Sequence, residues 1–100
     1  MKTASLIKCT QAIRNAMRRC YTPGTQRFEK YGGRGLTVHF PWIVNPELFA
    51  EHIGEPPTPY HSIDRIDNDF GYFPGNVRWA TAAEQAANRG KKSHYRGKPL

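Results

Sequence analysis

The sequence is poor in cysteine, with only Cys9 and Cys20 among 100 residues. Two cysteines do not make a disulfide framework, and eleven residues along one helix would place these two too far apart to bond to each other. Long apolar runs are also missing, so the sequence predicts no transmembrane helix. The first residues, Met1–Ser5, lack the apolar segment of a secretory signal. These absences lead us to expect a cytoplasmic protein that does not bind membranes.

Acidic residues are scarce as well, with eight Asp and Glu against fifteen Lys and Arg, which gives a formal net charge of +7 at pH 7. Residues 1–35 hold eight basic residues and a single acid, Glu29, whereas residues 36–59 hold three glutamates and neither Lys nor Arg. The chain is basic again from Arg89 onward. Two basic ends around a neutral to acidic middle are typical of a nucleic-acid footprint, although small basic domains of other kinds are common.

The N-terminal part begins with a predicted helix and a glycine-rich loop. Apolar residues recur at helical spacing over Thr3–Cys20, and Thr22-Pro23-Gly24 is a helix-ending signal. Glycine occupies three of the four positions 32–35, which indicates positive φ angles or a close approach of the backbone to another group. Arg34, between these glycines, is interpreted either as a phosphate ligand or as a solvent-facing residue of a tight hairpin.

A short strand and a second helix complete this part. Leu36–Phe40 alternates apolar and polar residues, so we expect a strand with residues 36, 38 and 40 directed inward. Asn45-Pro46-Glu47 combines a capping residue, a proline at the first helical position and an acid in the first turn, which predicts a helix that Gly54 ends. Residues 55–59, with three prolines, form an extended spacer.

The stretch that organises the chain follows this spacer. Ser62–Ile66 and Asn76–Trp79 predict two short strands, and the connection between them is rich in Asp, Asn, Gly and Pro, the residues of turns. Thr81 and Glu84 have the spacing of a capping box at the start of an alanine-rich helix. Gly90 is expected to end this helix. Tyr72 and Trp79 are expected in the core.

These elements predict one α+β domain over residues 1–90 and a flexible basic tail over 91–100. Within the domain, residues 1–59 supply an N-terminal helix, a glycine-rich loop, a short strand and a second helix. Residues 60–90 supply a hairpin followed by a helix. The sequence does not distinguish a monomer from a homodimer.

The order strand, long turn, strand and helix, with an aspartate ending the first strand and an asparagine starting the second, is similar to the ββα-metal unit of HNH nucleases. A wider resemblance, over residues 20–90, is to small phage-type HNH-like endonucleases. It is carried by YGGRGL at 31–36, Trp42, DRIDND at 64–69 and NVRWAT at 76–81. The resemblance implies that residues 60–90 form the ββα unit and that the protein acts on double-stranded DNA in a bacterial host's cytoplasm.

In the HNH family the strand aspartate binds one Mg²⁺ or Mn²⁺, the next residue is a histidine general base, and an asparagine after the turn orients it. A histidine or asparagine on the helix is the second metal ligand. By this resemblance Asp64 is a metal ligand, and Gln85 occupies the helix position with Asn88 one turn further along. Asn76 matches the orienting asparagine. The base position holds Arg65, whose guanidinium stays protonated at neutral pH.

The resemblance therefore implies Asp64, Arg65 and Asn76 as catalytic residues, with Arg65 stabilising charge on the scissile phosphate instead of accepting a proton. The same residues also fit a different interpretation, in which Asp64, Arg65 and Asp67 form an ion-paired hairpin and Asn76 is a turn residue. The candidate DNA contacts are the basic residues near the loops and the last helix, namely Lys30, Arg34, Arg78, Arg89, Lys91 and Lys92.

Two functions are consistent with this pattern. The first is a divalent-metal-dependent DNA endonuclease or nickase with an altered active site. The second is a non-catalytic relative that binds DNA, or a host or phage protein, without metal; Arg65 and Gln85 favour it. RNA binding through the basic helix and glycine loop is a weaker third hypothesis. Cys20 and His39 alone do not complete a tetrahedral site and the chain has no C-x-x-C motif, so we expect no structural zinc.

Overall fold

A helix-rich N-terminal half and a two-stranded antiparallel sheet followed by a helix form an α+β fold, which confirms the predicted class. The computed structural model describes residues 1–89. The predictions for Gly90, Lys91, Lys92 and the tail 91–100 lie outside the described residues. The helices are α1 (Thr3–Tyr21), α2 (Phe40–Val44), α3 (Pro46–Ile53) and α4 (Ala82–Asn88), and the strands are β1 (Ser62–Arg65) and β2 (Val77–Ala80).

Helix α1 is the long element against which the rest of the core packs. Its buried stripe recurs at helical spacing and consists of Cys9, Ile13, Ala16 and Cys20. It packs most extensively against α3, whose Phe49 is fully buried. Burial of a side chain the size of Ile13 contributes about 1.5–3 kcal/mol. None of the helices within residues 1–89 is long and apolar enough to cross a membrane.

The predicted strand Leu36–Phe40 does not form, although part of its predicted burial is correct. Val38 forms a single parallel bridge with Tyr72, and Leu36 and Val38 are buried as expected. Phe40, in contrast, begins α2 and is 72% exposed. The cause is Pro41, which cannot donate to a strand ladder and has a φ suited to the first turn of a helix.

The glycine-rich loop folds as two short 3₁₀ helices, Phe28–Lys30 and Gly32–Arg34, rather than as a hairpin. Gly35 ends the second one with a φ of 84°, a conformation that glycine adopts without steric cost. Gly32 shows the other predicted feature, a close approach of the backbone to another group, since a Cβ there would overlap the carbonyl oxygen of Cys20 at the end of α1. The loop is therefore held directly against α1.

The hairpin is formed by β1 and β2 in antiparallel register, with Asp64 opposite Arg78 and Arg65 opposite Val77. Helix α4 follows at once and begins with the predicted capping box. The Thr81 hydroxyl accepts from the Glu84 N–H at 3.2 Å, and Glu84 Oε1 accepts from the Thr81 N–H at 2.8 Å. This short connection places the end of α4 beside the end of β1.

Tyr72 is buried, as predicted. Trp79 is only partly buried, and its indole N–H donates to the carbonyl of Gly54 at 2.9 Å. This bond links the hairpin to the end of α3. The two cysteines are free and buried, as expected from their spacing on α1.

Candidate nucleic-acid interface

The turn between the two strands is organised around the side chain of Asn76, which is 0% exposed. Its Oδ1 accepts from the N–H of Asp67 at 2.7 Å, and its Nδ2 donates to the carbonyls of Asp67 at 3.2 Å and Gly71 at 2.8 Å. These bonds use both ends of the amide within the turn. In this structure Asn76 fixes the turn and has no access to solvent.

Arg65 lies inside the same turn and is 8% exposed. Its Nη1 donates to the carbonyls of Asn68 at 2.7 Å and Phe70 at 2.8 Å. Its guanidinium carbon also lies 4.9 Å from the ring centre of Tyr31, within the range of a cation–π contact. Arg65 therefore brings a permanent positive charge to a fixed place under the glycine-rich loop.

A second guanidinium, that of Arg19 in the last turn of α1, lies on the same aromatic rings. Tyr31 and Tyr72 are stacked with ring centres 6.4 Å apart and planes 16° from parallel. The guanidinium carbon of Arg19 is 5.0 Å from the centre of Tyr31, and its Nη2 donates to the Tyr72 hydroxyl at 3.0 Å. Burial raises the pKa of Tyr72, so its phenol is neutral at physiological pH. The tyrosine pair thus holds two arginines close together.

Asp64 is the carboxylate of this region, and its side chain is 13% exposed. Its Oδ2 accepts from Arg78 Nη2 at 3.0 Å and Nε at 3.1 Å, and from Asn88 Nδ2 at 3.3 Å. The same Nδ2 of Asn88 donates to the carbonyl of Arg65 at 2.7 Å. Asn68 in turn donates to the backbone carbonyl of Asn88 at 2.6 Å. These bonds tie the end of α4 to the hairpin.

These elements enclose an open groove of about 510 Å³, which we call the basic groove. Six cationic side chains line it against two carboxylates, and the carboxylates are paired, Asp64 with Arg78 and Asp69 with Arg34. Asp69 and Arg34 are both exposed, so water and salt weaken that pair. The six cations of the basic groove are Arg19, Arg27, Lys30, Arg34, Arg65 and Arg89.

The residues that the resemblance implies as Mg²⁺ ligands are engaged in other bonds in this structure. Mg²⁺ takes oxygen ligands in near-octahedral geometry and usually binds through one or two carboxylates. Asp64 is already paired with Arg78, and Asn88 directs its amide nitrogen toward Asp64. Gln85 is half-buried, and its Nε2 donates to the Ala80 carbonyl at 3.4 Å. Within residues 1–89 no three His, Cys, Asp or Glu side chains come together as a metal site would require.

The sequence-predicted site residues separate into three places. Asp64, Arg65 and Gln85 line the basic groove together with Lys30, Arg34 and Arg89. Arg78 and Asn88 contact Asp64. Asn76 is buried in the turn.

Sequence reasoning did not select Arg19, Arg27 and Tyr31, which also line the groove. The dense positive charge of residues 1–35 indicated the region but not the individual side chains. A helical projection of α1 does not show which arginine the glycine-rich loop will cover.

Comparisons of the chain with protein-family models, with curated proteins and with solved structures found no match in any of the three. The geometry and charge of the basic groove are therefore the features from which a function can be inferred.

Proposed function

We propose that this protein binds the phosphate backbone of double-stranded DNA in the basic groove. The observation that carries the proposal is the presence of six cationic side chains around one groove, four more than its carboxylates. Contacts from Arg and Lys to phosphates supply most of the affinity of proteins for DNA without reading its sequence. A groove of this charge offers such contacts from three sides: α1, the glycine-rich loop and the hairpin with α4.

Two of these cations are held in place before any ligand arrives. Arg65 is fixed by two carbonyls and by Tyr31, and Arg19 by Tyr31 and the Tyr72 hydroxyl. Ordering a long side chain on binding costs about 0.5–1.5 kcal/mol. Preorganisation removes part of this cost. An anion between two neighbouring guanidiniums also relieves their mutual repulsion.

The aromatic side chains of the groove favour a duplex over a single strand. Proteins that bind single strands stack successive bases on available aromatic faces. Here Tyr31 and Tyr72 stack on each other and on the guanidiniums of Arg19 and Arg65. They position cations and are not an open platform for bases.

The test is fluorescence anisotropy of a labelled DNA duplex at several salt concentrations. Lys30→Gln removes one charge of the groove, whereas Lys2→Gln removes the same charge at the start of α1, outside the groove. We expect Lys30→Gln to make the plot of log K against log salt shallower by about 0.9. Lys2→Gln should leave the slope unchanged. Equal effects of the two variants, or tighter binding of duplex RNA than of duplex DNA, would contradict the proposal.

A second candidate function is HNH-like, metal-dependent cleavage of the bound DNA. Two observations favour it. Asp64 and Gln85 line the same groove as the six cations, so a bound phosphate would lie near this carboxylate. A two-stranded hairpin followed directly by a helix is also the order of elements expected for this candidate. Against it stand the pairing of Asp64 with Arg78 and the arginine at the position of the base.

Supercoiled plasmid with Mg²⁺ or Mn²⁺ separates the two functions. Cleavage by the wild-type protein that is lost in Asp64→Asn would support the nuclease. If the protein binds the plasmid in a gel shift but does not cut it with either metal over a range of pH, DNA binding without cleavage is the function that remains. Cleavage that persists in Asp64→Asn would mean that the site is wrongly assigned.

A further inference from the structure

A second cleft of about 550 Å³ lies between the last turns of α1 and the loop that follows it. Three arginines line it, Arg18, Arg19 and Arg27, together with polar side chains such as Asn15 and Gln26. Within residues 1–89 no carboxylate belongs to its lining. Arg19 and Arg27 line the basic groove as well, so the two cavities are neighbours.

We propose that this second cleft binds the next part of the same DNA backbone, so that the two cavities form one phosphate track with Arg27 at their junction. The proposal rests on the proposed function and extends its site. Phosphates repeat along each strand of a duplex every 3.4 Å or so of helix axis. A backbone that occupies the basic groove must therefore continue past its edge. Where the second cleft adjoins the basic groove, Arg18 and Arg27 offer cations to the phosphates of this continuing backbone.

The backbone of Arg27 gives an independent reason to assign it a function. Its φ is 71°, and it is the one residue other than glycine with a positive φ within residues 1–89. An L-residue with a side chain is strained in this left-handed region, where glycine is not. Strained residues of this kind are concentrated at functional sites. The arginine at this position thus keeps a charge at the junction of the two cavities at some cost in stability.

The wall of the cleft is held by bonds that do not involve the guanidinium groups of Arg18 or Arg27. The hydroxyl of Thr25 donates to the carbonyl of Thr22 at 2.7 Å, and the N–H of Phe28 donates to the carbonyl of Thr25 at 3.1 Å. The N–H of Thr22 donates to the backbone carbonyl of Arg18 at 3.0 Å. Substitution of the Arg18 or Arg27 side chain leaves these bonds in place, so the charge can be removed without removing the cleft.

The experiment compares Arg27→Gly, Arg18→Gln and the control Lys2→Gln in the full chain, by anisotropy of a labelled DNA duplex in a salt series and by thermal unfolding. We expect Arg27→Gly to unfold at a higher temperature than wild type, because the strain is relieved, and yet to bind DNA with a salt slope shallower by about 0.9. Arg18→Gln should make the salt slope shallower by about the same amount and leave the unfolding temperature unchanged. Lys2→Gln should match wild type in both measurements.

The outcomes separate this proposal from the proposed function. A wild-type protein that does not bind duplex DNA overturns both. Arg27 lines both cavities, so the slope of Arg18→Gln decides the extension. If Lys30→Gln weakens binding while Arg18→Gln keeps the wild-type slope, the basic groove stands and the second cleft is not part of the track. If Arg27→Gly unfolds at a lower temperature, the strain argument fails, and the slope of the Arg18→Gln variant alone decides whether the cleft contacts DNA.

Discussion

Gly32→Ala and Gly33→Ala are the same chemical change at neighbouring positions, yet the structure predicts opposite effects on stability. At Gly32 an added Cβ overlaps the carbonyl oxygen of Cys20 and lies 2.5 Å from Cε1 of Phe28 and 2.7 Å from the carbonyl carbon of Cys20. The Cys20 carbonyl is backbone at the end of α1 and cannot rotate away. Overpacking of this kind costs about 1–3 kcal/mol.

At Gly33 the nearest atom to an added Cβ is the carbonyl oxygen of Phe28 at 3.4 Å, which is an ordinary contact distance. Its φ is not positive, so alanine adopts the same conformation. Alanine there stabilises the protein by about 0.4–1 kcal/mol, because it restricts the unfolded chain. The two variants should therefore differ by about 1.5–4 kcal/mol. For a domain of this size that is a difference in Tm of at least about 6 °C.

Thermal unfolding followed by circular dichroism at fixed pH and salt measures this difference directly. Gly32 follows Tyr31 and is the first residue of the 3₁₀ helix that carries Arg34, so we also expect Gly32→Ala to weaken DNA binding at temperatures where it is folded. Gly33→Ala should bind as wild type does. If Gly32→Ala is as stable as wild type, the close approach of the loop to α1 is wrong, and so is the position of the groove wall that depends on it.

Three further predictions concern the hairpin, α4 and the cysteines. Asn76→Ala leaves an N–H and a carbonyl of the turn unpaired and should cost about 2–5 kcal/mol in urea unfolding. Thr81→Ala should reduce the free energy of unfolding by about 1 kcal/mol. The bond from the Thr81 N–H lowers the pKa of Glu84. The extra stability of wild type over a Glu84→Gln variant should therefore be present at neutral pH and be lost as the pH falls through that lowered pKa. Cys9 and Cys20 are buried, which also raises the pKa of both thiols, so a thiol reagent should modify them only when the chain opens, and far more slowly than in the unfolded protein.

The parts of the fold that sequence predicts well are those fixed by neighbouring residues. The apolar spacing of α1 corresponds to its buried stripe, and the spacing of Thr81 and Glu84 corresponds to a complete capping box. The hairpin was predictable because turn-forming residues separate two short segments in which apolar residues are interspersed with polar ones. For α1 and the capping box the deciding pattern lies within about four residues along the chain.

The failures have local and long-range causes. Alternation predicted a strand through Phe40, but Pro41 favours a helix that begins at Phe40, and one bridge to Tyr72 replaces the expected strand. The role of Arg65 depends on carbonyls of its own turn and on Tyr31, which approaches from the glycine-rich loop. Arg27 has no sequence signal at all, because its positive φ is a property of the folded loop.

The resemblance to HNH nucleases selected residues that do lie close together, and their bonds suggest a different division of roles. Asn76 and Arg65 hold the turn by hydrogen bonds to backbone groups. Asp64 and Asn88 join β1 to α4. These hydrogen bonds and the Asp64–Arg78 ion pair join the hairpin and α4 within this structure.

The most direct test of the central claim is the salt dependence of duplex DNA binding by the wild-type protein in the presence of EDTA. If the basic groove binds phosphates without metal, the affinity is retained in EDTA, and log K falls linearly with log salt. The slope approaches about −5 if all six groove cations each neutralise one phosphate. Binding that disappears in EDTA, or that shows a slope shallower than about −1, would contradict the account.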